Sequence, residues 1–117
     1  MLNYSNAREG DIDIVYLEGH LDAGTAGILS KTLNDFSDAG RYKIVLDMDS
    51  VSYISSNGLK PLLEWLDATE GMSGRRKFAV CNLRGFTREV FRITGCDLKI
   101  PIYESTESAV NVFRQEF

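Results

Sequence analysis

"SVSYISSNGLK", residues 50–60, joins two different patterns. Before it, "YKIVLDM" (42–48) is apolar at the consecutive positions Ile44, Val45 and Leu46. Such a run suits a central strand covered on both faces. After it, "NGLKPLLEWLDATEG" (57–71) places Leu59, Leu62, Leu63 and Leu66 at helical spacing. The expectation is a strand over 44–48, a few residues crossing the end of the sheet, and a helix starting near Gly58. Pro61 then falls in the first turn, where its missing N–H is tolerated. The stretch also poses a functional question. Ser55, Ser56 and Asn57 are short polar side chains at a helix start: they either cap the helix or present a hydroxyl for modification.

Outward from this junction the chain keeps alternating. "DIDIVYLEG" (11–19) reads as a strand, and "LNYSNA" (2–7) pairs with it as a hairpin across "REGD" (8–11). "LDAGTAGILSKTLNDFSDAG" (21–40) reads as a helix with Asp22 as N-cap, Ala26, Leu29, Leu33 and Phe36 inward, and Gly40 as its stop. "KFAVCNL" (77–83) is a further central strand. "RGFTREVFRITG" (84–95) is a helix with Phe86, Val90 and Ile93 inward. "LKIPIYE" (98–104) is a short strand whose Pro101 points to a sheet edge. In "STESAVNVFRQEF" (105–117), Ser105 caps a last helix with Ala109, Val112 and Phe113 on its apolar stripe. The order β-β-α-β-α-β-α-β-α gives an α/β fold: one domain over 1–117, with a mixed, mostly parallel sheet. It opens with an antiparallel N-terminal hairpin, and about four helices flank the sheet.

The chain has 117 residues and a formal net charge of -4, a balance that argues against nucleic acid as a partner. "GRRK" (74–77) is the one basic cluster and reads as a solvated turn. The opening "MLNYSNAREGD" has no apolar core of signal-peptide length, and no apolar run approaches the length of a membrane span. These features predict a cytoplasmic chain without direct membrane insertion. Cys81 and Cys96 form no CxxC and read as free, buried thiols. No P-loop, GxGxxG, HExxH or Cys/His cluster is present, so no cofactor, metal or catalytic residue is assigned.

Ser55, Ser56 and Asn57 are placed at the carboxyl end of a central strand, where ligands and modifications gather in α/β sheets. A helix N-terminus accepts a phosphate readily. The plainer reading is an N-cap at Ser56 or Asn57. Asp47 and Asp49, with Asp22 on another loop, are alternatively a Mg²⁺-dependent phosphoacceptor or hydrolase site. His20, the only histidine, reads as a surface residue. Trp65 falls off the leucine stripe, so it is either an interface anchor or packs at the helix edge.

"GHLDAGTA" (19–26) followed by "KIVLDMDSVSYISSNGLKPLL" (43–63) resembles the STAS family, shared by sulfate transporters and anti-sigma-factor antagonists. Gly19, Leu21, Asp22, Thr25 and Ala26 match the first part of the pattern. Val45, Leu46, Asp47, Val51, Ile54, Ser56, Gly58 and Leu59 match the second. The resemblance implies a non-catalytic partner-switching module. An anti-sigma factor that is also a serine kinase would phosphorylate Ser56 and thereby lose its grip, and a cognate serine phosphatase would reset the domain. Asp22, Ser55, Asn57, Gly58, Leu59, Lys60 and Trp65 would form the partner surface. The chain departs from the pattern at Ser55, where the family has aspartate, at Asn57, and at Lys60–Pro61. Ser55 is the modified residue if the local register differs. A STAS adaptor without phosphorylation, part of a larger regulatory or transport complex, is the alternative.

Overall fold

The computed structural model describes residues 1–72 and 76–115. Five strands form one sheet in the order β1-β2-β3-β4-β5. They are β1 Leu2–Glu9, β2 Ile12–Leu21, β3 Lys43–Ile54, β4 Lys77–Cys81 and β5 Ile102–Tyr103. The hairpin β1–β2 is antiparallel and every other pair is parallel. The helices are α1 Ala26–Asp38, α2 Ser56–Ala68, α3 Gly85–Ile93 and α4 Thr106–Gln115.

Strands laid down in sequential order, with crossovers of one hand, put their connecting helices on one face. Accordingly α1, α2 and α3 share a large core with Leu17, Leu46, Met48 and Val80. The final helix covers the opposite face, where Ala109, Val110 and Phe113 meet Ile12, Ile14, Val45 and Ala79. Both faces of β4 and of the first half of β3, Ile44 to Met48, are thus sealed, which is why Ile44, Val45 and Leu46, and Phe78 to Val80, are apolar without alternation. Among the described residues, no helix is long and apolar enough to cross a membrane.

Several local expectations need correction. The strand expected over 44–48 runs on to Ile54, because Val51 and Ile54 still point into the core and pair beside Gly19 and Leu21 of β2. The exposed Ser50, Ser52 and Tyr53 around them disguise the strand. Helix α2 therefore begins at Ser56, and Pro61 is its sixth residue rather than part of its first turn. The missing N–H leaves the Asn57 carbonyl without its helical donor. In α3 the inward residues are Thr87 and Phe91, with Val90 half-buried; Phe86 and Ile93 are exposed. In α4 Val110, not Val112, completes the stripe. Asp22 does not cap α1 directly: the helix starts at Ala26 and Thr25 occupies the cap position. Gly40 does end the helix, with a left-handed φ of +73° that lets Arg41 N–H reach Phe36 O at 2.8 Å.

Of the "GRRK" cluster, Gly74 and Arg75 lie outside the described residues. Arg76 donates to Leu66 O at 2.6 Å, and Lys77 Nζ to Phe113 O at 3.4 Å, so this part of the cluster ties elements together.

One buried carboxylate braces the hairpin. Asp13 on β2 is fully buried, and Arg41, after α1, grips both of its oxygens: Nε donates to Oδ2 at 3.0 Å and Nη2 to Oδ1. Arg8 on β1 adds a contact at 3.5 Å. Removing one partner of a buried pair leaves the other unpaired and costs about 3 kcal/mol or more. Arg41→Met is expected to lower unfolding free energy by about that amount, and Lys31→Met, at an exposed i,i+4 pair, to leave it nearly unchanged. Urea denaturation of the two variants checks the contrast.

Candidate functional site at the β3–α2 turn

Only Ser55 separates β3 from α2. Its backbone is extended (φ -108°, ψ 163°), and its Oγ accepts the Gly58 N–H at 3.2 Å. Ser55 is therefore the N-cap, rather than Ser56 or Asn57. The Ser55 N–H donates to Leu21 O at 3.0 Å, which ties this turn to the end of β2. Gly58 packs against the same carbonyl: a Cβ there would lie 2.2 Å from Leu21 O. Only glycine permits this approach.

The neighbouring β2–α1 turn is equally closed. Asp22 Oδ1 accepts the N–H groups of Gly24 at 3.0 Å and Thr25 at 3.2 Å. Thr25 Oγ1 accepts Asp22 N–H at 3.0 Å and donates to His20 O at 2.8 Å. Asp22 thus shapes its own turn. Between the first halves of α1 and α2 lies an open groove of about 380 Å³, lined by Ala23, Ala26, Gly27 and Ser30 on one side and Asn57, Lys60, Pro61 and Glu64 on the other.

The residues singled out in the sequence separate by burial. Ser56, Asn57 and Lys60 are exposed, and Asp22 and Ser55 are half-buried. Gly58, Leu59 and Trp65 are buried, which removes them from any contact surface of this conformation. Trp65 is 4 % exposed, tilts against the Phe78 ring at 5.4 Å, and donates from Nε1 to Ser37 Oγ at 2.7 Å. The leucine stripe misplaced it. The buried face of α2 is centred on Gly58, Leu59, Pro61, Leu62 and Trp65, and Leu63 and Leu66 flank it half-buried.

The carboxylate pair is corrected as well. Asp47 is 6 % exposed, and its Oδ1 accepts Asp49 N–H at 2.9 Å. Its Oδ2 accepts Asn82 Nδ2 at 3.0 Å and Thr106 Oγ1 at 2.8 Å. Asp49 turns away to Arg84 Nε at 2.6 Å. Asp47 therefore pins β4 and the start of α4 to β3, and protein donors take the places a Mg²⁺ would need. Asn82, in the left-handed region at φ 60°, is bent to serve it. Next to this cluster, burial pushes the Cys81 thiol up to about 11, the behaviour of an inert core cysteine. Cys96 is buried and free too.

The sequence reading missed an aromatic row beside the site. His20 meets Tyr53 edge-on at 5.9 Å, and Tyr53 stacks on Phe86 at 5.6 Å. Tyr53 and Phe86 are 42 % and 55 % exposed. Alternation from the buried Ile54 would have placed Tyr53 outside once β3 was seen to reach that far.

The STAS domain profile matches residues 4–109. The chain belongs to the STAS domain family. It is 33 % identical over 101 residues to BtrV of Bordetella bronchiseptica, which is named as a candidate anti-sigma factor antagonist; the match covers 86 % of this chain and 85 % of that one. In fold it is similar to an anti-sigma factor antagonist from Mycobacterium paratuberculosis (TM-score 0.85, 23 % identity, 98 % and 96 % of the two chains). It is also similar to the Bacillus cell fate determinant SpoIIAA in its phosphorylated form (TM-score 0.71, 16 % identity, 95 % and 99 %). The mixed sheet, antiparallel opening hairpin and four helices are those of the STAS fold.

Within this STAS domain the two serines are not equivalent. Ser55→Ala removes the cap and is expected to cost about 1 kcal/mol. Ser56→Ala should stay within about 0.5 kcal/mol of wild type, as exposed substitutions do. Gly58→Ala forces a methyl group into the Leu21 carbonyl and should cost about 3 kcal/mol. Thermal unfolding of the three variants tests the ranking; Ser56→Ala falling with Ser55→Ala would assign the cap to the wrong residue.

Proposed function

We propose that this STAS domain is an anti-sigma factor antagonist, a non-catalytic module of the cytoplasm controlled by phosphorylation of Ser56. The observation that carries this reading is the freedom of the Ser56 hydroxyl. It stands exposed at the first position of α2 and makes no hydrogen bond among the described residues, while Ser55 does the capping. The similarity to BtrV over most of both chains supports the same class.

The partner is an anti-sigma factor with serine kinase activity. Ser56 Oγ attacks the γ-phosphorus of ATP held by that partner. A new O–P bond forms, ADP leaves, and the hydroxyl proton passes to a base on the kinase. The product gains nearly two negative charges at a helix start, without losing the cap that maintains the fold. A serine phosphatase reverses the step by hydrolysis. Phosphorylation at Ser55 would instead break the Gly58 cap, which favours Ser56 as the acceptor. The docking surface on this reading comprises Ser56, Asn57, Lys60 and the rim of the α1–α2 groove, in place of the buried Gly58, Leu59 and Trp65.

Pull-down from lysate of the source cells, with wild-type and Ser56→Asp baits, tests the reading when followed by identification of the captured proteins. Wild type should retain a kinase-type anti-sigma factor. Ser56→Asp should weaken its capture about tenfold or more, equivalent to about 1.4 kcal/mol. Incubation with that partner and ATP should place phosphate on Ser56 by mass spectrometry. Equal capture by both baits without phosphate transfer would make the domain a fixed adaptor.

A further inference from the structure

Lys60 stands one helical turn beyond Ser56 on α2, and both side chains are exposed. Residues four apart on a helix share a face. Helical side chains also lean toward the N-terminus, so a long side chain covers the turn that precedes it. A lysine at position 60 is thus within reach of the turn that begins at Ser56. Among the described residues its ammonium makes no ion pair. The first turn of α2 holds no acidic residue to claim it. Glu64 lies one turn farther on, and Asp22 Oδ1 is held by the amides of its own loop.

We propose that Lys60 is the built-in counter-charge for a phosphate on Ser56. This rests on the reading of Ser56 as the modified residue and adds the group that receives the phosphate. The Ser55 side chain takes the Gly58 N–H, and the Ser56 and Asn57 amides are two more of the orphan donors of a helix start. The phosphate dianion then meets those amides on one side and the Lys60 ammonium on the other. Lys60 also lines the groove between α1 and α2. Pairing draws its charge from the lip of that groove to the phosphate, so one modification alters both parts of the docking surface.

The test places phosphoserine at position 56 during translation, which bypasses any kinase, and follows its second ionisation by ³¹P NMR. Phosphoserine ionises near pH ~6. Lys60 should hold the wild-type midpoint below that of Lys60→Gln by about 0.3 pH unit, the size expected of an i,i+4 ion pair. Lys60→Arg should restore the lower midpoint, and the difference should shrink in about 1 M salt. Identical midpoints in wild type and Lys60→Gln would overturn the proposal. The unmodified Lys60→Gln protein should melt with wild type, since the substituted side chain is exposed. Whether protein isolated from cells carries phosphate on Ser56 is read separately: its absence there would count against the Ser56 reading and leave the measured pairing intact.

Discussion

The site depends on one close approach. Leu21 O, at the end of β2, accepts the Ser55 N–H and lies against the Cα of Gly58. This contact sets how far β3 runs beside β2 before the chain turns, and fixes where α2 starts. Because Gly58 carries no side chain, the first turn of α2 seats directly on the β2–α1 loop. Asp22 and Thr25 close that loop from within by hydrogen bonds to its own backbone. The consequence is a sharp strand-to-helix corner with one residue in it. A corner that tight leaves the next hydroxyl, Ser56, nowhere to point except outward.

Patterns that report on bulk burial were legible in the sequence. The opening hairpin, the alternation of strands and helices and the parallel sheet all follow from apolar spacing and from turn residues at the expected places. Patterns that depend on a neighbour were not. Trp65 looked peripheral because four leucines suggested a face. Its true direction is set by Phe78 on β4 and by Ser37 on α1, which receives the indole N–H. Phe86 and Ile93 looked internal by spacing, yet α3 has only nine residues and buries two of them, Thr87 and Phe91. The long β3 was hidden because Ser50, Ser52 and Tyr53 face outward while Val51 and Ile54 hold the core.

The two buried aspartates show how differently the same side chain is used at the two ends of the sheet. Asp13 faces arginines, and its charge is balanced by Arg41 and Arg8 across the hairpin and the α1–β3 loop. Asp47 meets neutral donors only: an amide side chain, a hydroxyl and a backbone N–H. The first arrangement neutralises a charge. The second spends one carboxylate on orienting three separate segments, and accepts a left-handed Asn82 to do so. A sequence shows that acids are present at positions 13, 47 and 49, but not which donors will close around them. For that reason the pair Asp47 and Asp49 resembled a metal site until their partners were seen.

The same logic separates Ser55 from Ser56. Adjacent serines at a helix start look interchangeable in a sequence, and either could cap. Folding assigns the roles, because the residue with extended backbone is the one whose side chain reaches the amide three positions on. Ser55 has that backbone; Ser56 is the first residue of the helix itself and is exposed. A family pattern with aspartate at the first position keeps the same division, since aspartate caps as well as serine does. The replacement at 55 therefore preserves the corner while removing a negative charge beside the hydroxyl. The first charged residue of α2 is then Lys60, and no carboxylate of the helix stands in the turn that opens with Ser56.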